Sequence, residues 1–393
     1  MNPIEVVSRP ISEPPVAMSA EPAGEQLAAK SAAVATPRQL MWWKFSRHRI
    51  AVISAVVLII FYVVALLADF LSPYDPNTTT ATYKLVPPQG FSFVDGNDSV
   101  VIPPVVFALK SVRNPETLRI TYEIDRTKWY PVQFFAQGER YRLLGLIETN
   151  IHFIGLGRPA AEAPWFLLGS DRLGRDVFSR MLYGARISLS IGLVAVFLSL
   201  VLGIILGGIS GYYGGWVDLV IQRVIELIRS VPSLPLWMGL SAALPPEWPQ
   251  EWRYFGITII LSLIGWTTLA RQVRGKFLSL RSEDFVLAAR FSGAPEWRII
   301  TRHMVPSFTS HIIASLTLSI PGIILAETAL SFLGLGLRQP VISWGVLLQE
   351  AQNVRTVALA PWLLWPAAAI ILTVLAYNFL GDGLRDAADP FNR

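Results

Sequence analysis

Long apolar runs, each about as long as a bilayer core is thick, alternate along this chain with short polar stretches. Ile50–Ala68 is 19 residues without a charge, roughly 28 Å as a helix, which just crosses a hydrocarbon core. Similar runs lie near 187–209, 217–240, 254–270, 308–330 and 362–381. The pattern predicts an all-α polytopic membrane protein with about six transmembrane helices. One long interval breaks the rhythm: nearly a hundred residues separate the first run from the second. Within it, Leu118-Arg119-Ile120-Thr121-Tyr122-Glu123-Ile124 alternates apolar and polar side chains, the period of a strand. FSFVDGNDSVVI carries an Asp-Gly turn signal, and FFAQGERYRLLGLI reads as a hairpin around Gln137-Gly138. Residues 71–165 are therefore expected to form a small β-rich insertion outside the membrane.

The remaining chain divides into a tail (1–40), a first helix (41–70) and a core (166–393). The tail is rich in Ala, Pro, Ser and Glu; it buries too little surface to offset ordering entropy, so disorder is expected. Residues 176–187 mix Asp176, Arg180 and Arg186 with an apolar stripe, which suggests an amphipathic helix at the outer interface. Gly203, Gly207, Gly211 and Gly215 recur every four residues and predict a close-packing face on the second span. The third span opens with Asp218, Arg223, Glu226 and Arg229. Spaced three apart, the last three can pair along one face; the sharper alternative is an inside gate or an interface with another subunit. Pro232 and Pro235 should kink that helix. Glu327, an isolated acid near the outer end of the fifth span, is either a hydrogen-bonding element at a helix end or a contact for solute at such a gate. A surface-lying helix is expected around 343–353.

Composition agrees with membrane residence. Charged residues make up 16% of the chain, against about 25% in soluble domains. A net charge of +5 would suggest nucleic acid in a soluble protein; here the positive-inside rule accounts for it. Lys44, Arg47 and Arg49 precede the first span, the 271–306 loop holds seven Lys/Arg, and the short loops 241–253 and 331–361 hold one and two. Both termini are thus expected in the cytoplasm, and no nucleic-acid partner is implied. The absence of Cys excludes disulfides and thiolate chemistry. No GxxxxGK[ST] segment exists, and the four His residues lie scattered, which disfavours a membrane-embedded enzyme. An ATP-independent secondary transporter would show repeats or midplane acids, and neither is evident.

Residues 282–306 carry the most specific pattern. Ser282 is a plausible N-cap, and a polar-then-apolar pattern follows through Asp284, Leu287, Ala288, Ala289 and Arg290. Ser292-Gly293-Ala294-Pro295 breaks the helix, since Gly permits positive φ and Pro can open the next one. Trp297, Ile299 and Ile300 then offer an apolar face, ahead of His303 and Pro306.

This order resembles the EAA coupling loop of ATP-binding-cassette (ABC) importer permeases, in the dipeptide/oligopeptide/nickel branch. GSDRLGRDVFSRMLYGARISL, GYYGGWVD, ETALSFLGLGL, SWGVLL, PWLLWPAAAI and LGDGLRDAADP are similar to segments of that branch's second permease subunit. The long 71–165 interval is similar to the enlarged outer loop of some long-peptide and microcin-type members. One departure is visible: Leu287 stands where the acid that names the loop belongs, with Glu283 and Asp284 a turn earlier. The resemblance implies a type I importer permease in a bacterial inner membrane, with a periplasmic insertion and no catalysis or cofactor of its own. ATP and Mg would belong to two partner ATPase subunits gripping 282–306. A homologous permease and a periplasmic substrate-binding protein would complete the assembly. Peptides are the expected cargo, with oligosaccharides, opines or nickel complexes as the alternatives.

Overall fold

The computed structural model describes residues 37–113, 115, 120–158 and 163–388. The disorder expected over 1–36 lies outside the described residues; 37–40 are helical, opening α1 (Pro37–Arg47). The first span, α2 (Arg49–Leu66), ends in a short break at Leu67 before α3 (Ala68–Leu71). Among the described residues five helices are long and apolar enough to cross a membrane: α2, α4 (Val177–Tyr213), α7 (Gln250–Leu280), α11 (Thr309–Phe332), and Pro361–Ala388, whose regular part is α14 (Trp365–Ala388).

The expected third span is not one helix. Residues 217–240 divide into α5 (Gly215–Ser230) and α6 (Ser233–Ala242). Val231 is extended, φ −90° and ψ 133°, as the residue before a proline tends to be, and Pro232 cannot donate back to the preceding turn. Even so, the pair crosses. Spans α4 and α7 run parallel: Ser190 meets Tyr254, Ser199 bonds the Ser262 carbonyl and Gly207 faces Ala270. Two parallel spans need a return between them. The broken pair supplies it, with Asp218 beside Arg274, Arg229 beside Thr268, and Leu244 beside Gly256.

Close approach of α4 and α7 rests on small side chains. A Cβ at Gly207 would lie 2.4 Å from the Ala270 carbonyl oxygen, and one at Gly211 would lie 2.6 Å from Phe277 Cβ. The expected glycine face is present, except that Gly215 lies beyond the helix, past the Gly214 cap. Span α4 also absorbs the separate interfacial helix expected at 176–187. It runs 37 residues unbroken, about 55 Å, because Asp176 caps it through the Ser179 amide and its first charges are paired. The main core gathers Leu189, Ile191, Ile257, Leu261, Ile324 and Leu330 between the spans.

The insertion is β-rich, as expected. Strands β1 (Ser92–Val94), β2 (Val100–Arg113) and β3 (Ile120–Pro131) form an antiparallel sheet in that order, with the Asp95-Gly96 turn between β1 and β2. Of the alternating segment at 118–124, Ile120 onward lies in β3; Leu118 and Arg119 lie outside the described residues. Strands β4 (Gln133–Leu143) and β5 (Ile147–Gly155) pair separately. Their turn is at Leu144-Gly145, where Gly145 has φ +74°, not at Gln137-Gly138. Gly138 is small for another reason: a Cβ there would meet the His152 ring at 2.6 Å. The helix expected at 343–353 appears as α12 (Trp344–Gln349) and a 3-10 turn, Glu350–Gln352. It does not lie on the surface; Trp344, Gly345, Val346 and Leu347 are buried.

Candidate coupling elbow

Between the ends of α7 and α11 the chain makes an elbow of two arms. The first is α8 (Asp284–Phe291). Ser282 does not cap it. Its hydroxyl donates back to the Ser279 carbonyl, and Glu283 holds the cap position without a side-chain bond. Ser292 and Gly293 close the arm, with the Ser292 hydroxyl on the Ala288 carbonyl (2.8 Å) and the Gly293 amide on the Arg290 carbonyl (3.0 Å). Gly293 has φ +75°. A Cβ there would meet nothing within 4 Å, so backbone conformation, not space, calls for glycine. Pro295 is extended and leads into the second arm, made of α9 (Glu296–Arg298), the segment Ile299–Met304 and α10 (Val305–Ser307). Ile299–Met304 is a wide π-turn, a form enriched at functional sites, and it buries Ile299 and Met304 together, five residues apart.

The inner side of the elbow is apolar and locked. Val286, Ile299 and Met304 are buried in one cluster with Tyr212 from the end of α4, Phe277 from α7, and Phe308; Ala289, Ala294 and Ile300 pack against it. Phe277 and Phe308 meet edge to face at 5.9 Å. Two polar contacts fasten the arms to α4: the Arg290 guanidinium lies 5.4 Å from the Tyr212 ring centre, and Tyr213 donates to Glu296 Oε2 at 2.6 Å. The elbow thus joins the ends of three spans.

Its outer side is bare. Asp284, Ala288, Arg290, Pro295 and Pro306 are exposed; Leu287 and His303 are half-buried. Trp297, expected on the apolar face with Ile299 and Ile300, is instead 68% exposed, and Phe291 is 87% exposed. Sequence reasoning missed Phe291. Its signal was an aromatic directly before the Ser-Gly break, where an isolated amphipathic arm would carry a polar residue. It also missed Tyr212 and Tyr213, which sit far away in sequence.

The elbow and the possible gate residues do not meet. Arg223 pairs with Glu226 at 2.6 Å, both largely exposed, and Arg229 donates to the Thr268 hydroxyl at 2.8 Å. Asp218 joins Arg274 through two 2.5 Å bonds and accepts from the Ser210 hydroxyl. Glu327 is fully buried within the chain, and one carboxylate oxygen accepts from Ser331 (2.8 Å) and Ser343 (2.7 Å). It ties α11 to the start of α12.

The described residues thus form a bundle of apolar spans, three of them joined by an elbow that is packed on one side and exposed on the other. Residues 199–393 match the family described as binding-protein-dependent transport system inner membrane component, and 36–88 match the N-terminal transmembrane domain of oligopeptide transport permease C. The chain is 40% identical to the dipeptide transport system permease protein DppC of Alkalihalophilus pseudofirmus, over 59% of this chain and 73% of that one. It is 38% identical to the oligopeptide transport system permease protein OppC of Bacillus subtilis, over 62% and 76%. A third relative, the glutathione transport system permease protein GsiD of Pectobacterium atrosepticum, is 38% identical over 66% and 82%. The chain belongs to the binding-protein-dependent transport system inner membrane component family.

Proposed function

We propose that this permease moves peptides inward, driven by two separate ATP-binding subunits that grip the outer rim of the 284–307 elbow. The observation that carries this reading is the elbow's asymmetry. Its inner face is packed into three spans, while Phe291 and Trp297 stand almost unsupported on the other side. Two exposed aromatics on a rigid mount suit a groove on a partner better than water. When the ATPases close on ATP and Mg, two such elbows would be drawn together. Locked to Phe277 and Tyr212, they would rock their spans from inward- to outward-facing, and a periplasmic binding protein would deliver peptide there.

A homologous permease would form the other half of the path, with the exposed Arg223–Glu226–Arg229 face as a candidate contact. Both termini would lie in the cytoplasm. In support, Phe45 and Ala51 pack against Ala387, so the start of the first span and the end of the last lie on one side of the bundle. Relatives named for dipeptides, oligopeptides and glutathione favour peptide cargo over sugars, opines or nickel complexes. The test is substrate-stimulated ATP hydrolysis by the reconstituted transporter. Gly293→Asp should abolish stimulation while membrane insertion persists; stimulation retained in that variant refutes this role for the elbow's turn.

A further inference from the structure

The β4–β5 hairpin carries an aromatic cluster that the transport mechanism does not use. Phe134 and Phe135 are 60% and 64% exposed, and Phe153 is 38% exposed. Phe153 lies 5.9 Å from Phe134 and 6.2 Å from Phe135, ring centre to ring centre. Phe135 has φ +52°, a conformation costly for a bulky side chain. It interrupts the strand's alternation, so that neighbouring residues 134 and 135 both reach Phe153 across the ladder.

The location says what covers these rings. Phe70, one turn beyond the first span, packs against Phe135 at 6.1 Å and Phe153 at 5.8 Å. Along α2, Ile53, Val56, Ile60, Val63 and Leu66 form an exposed apolar stripe at helical spacing, the face that a span turns to lipid. Phe70 lies in the short helix just past the break at Leu67, four residues after the last position of the stripe. His152 fixes the hairpin there, with its ring nitrogens 2.5 Å from the Ser72 carbonyl and 2.9 Å from the Glu139 carbonyl. Phe side chains exposed beside the end of a span suit the boundary between headgroups and acyl chains, where apolar faces bearing Trp, Phe and Leu bury about 5–10 Å deep.

We infer that the β4–β5 hairpin is a membrane-interface anchor: Phe134, Phe135 and Phe153 dip into the headgroup layer beside the first span, and lipid is their partner. The chain has no cysteine, so single Cys substitutions can be spin-labelled without background. The full chain in nanodiscs of phosphatidylethanolamine and phosphatidylglycerol is labelled at Phe134→Cys, Phe135→Cys or Phe153→Cys. Ile60→Cys serves as the lipid reference and Asn97→Cys as the aqueous one. The three hairpin labels should relax more with oxygen than with a water-soluble nickel chelate, at depths between the references. Nickel accessibility equal to that of Asn97 overturns the proposal. So does shelter from both reagents, which would mean that protein covers the cluster. In a second measurement, Phe134→Ser with Phe135→Gly should move a label at 153 toward water; an unchanged depth there also counts against the anchor.

Discussion

The two ends of α4 are held by opposite chemistry. At its start the contacts are charged and buried. Arg175 bonds Asp171 (2.5 Å), Gln339 (3.1 Å) and Glu350 (2.8 Å), and Arg180 lies 3.6 Å from Asp171 while donating to the Pro76 carbonyl. At its other end an apolar cluster of Tyr212, Phe277 and Met304 sits beside a half-buried Asp218–Arg274 pair that Ser210 joins, and most charges of the elbow are exposed. Ion pairs buried in this way demand fixed geometry; apolar packing tolerates small sliding. The contrast points to a bundle pinned at one end and driven at the other.

The most severe break in that contrast should come from Arg175→Met. It leaves Glu350 with the Gln339 amide but no cation, and Asp171 with Arg180 as its remaining cation, a loss of about 3–5 kcal/mol, measured as folded yield and thermal midpoint in detergent. Acid titration probes the same end. Burial holds the Asp176 carboxyl up to about 6, against an ordinary value of 3.8. A raised carboxyl means that the folded chain binds the proton more tightly than the unfolded one. Stability from this group is therefore full below pH 3.8 and is lost as pH rises through 6, up to about 3 kcal/mol. Asp176→Asn should flatten this part of the pH–stability curve. Gly207→Leu forces α4 from α7 and should cost about 1–3 kcal/mol, read as a lowered thermal midpoint. At the driven end, Gly293→Ala should cost about 1 kcal/mol, and Gly293→Asn less, since Asn tolerates positive φ. Smallest of all, Arg223→Ala removes an exposed ion pair and should change stability by under about 1 kcal/mol. A large loss there would mean that an exposed pair holds the bundle as firmly as the buried pairs at the start of α4.

Much of this architecture was legible because bilayer-length apolar runs leave few alternatives. Gly293 and Pro295 marked the elbow's turn through backbone constraints that act locally. The proline at 232 announced a kink, but the full break that splits the third span depends on where α5 and α6 pack. Distant contacts were invisible: Arg180 looked too charged for a span until Asp171 and the Pro76 carbonyl came beside it. Gly138 read as a turn because glycine often makes turns; the His152 ring it accommodates is fourteen residues away. Leu287 is half-buried in the elbow, and nothing in the structure explains why it replaces an acid there.

If the elbow's bare rim is the grip, a photo-cross-linking phenylalanine analogue at Phe291 in the assembled transporter should capture the ATP-binding subunit. The yield should change when ATP is added, and the same analogue at Ile60 should capture none. Capture of lipid alone at 291, or equal capture of the ATP-binding subunit from both positions, would contradict it.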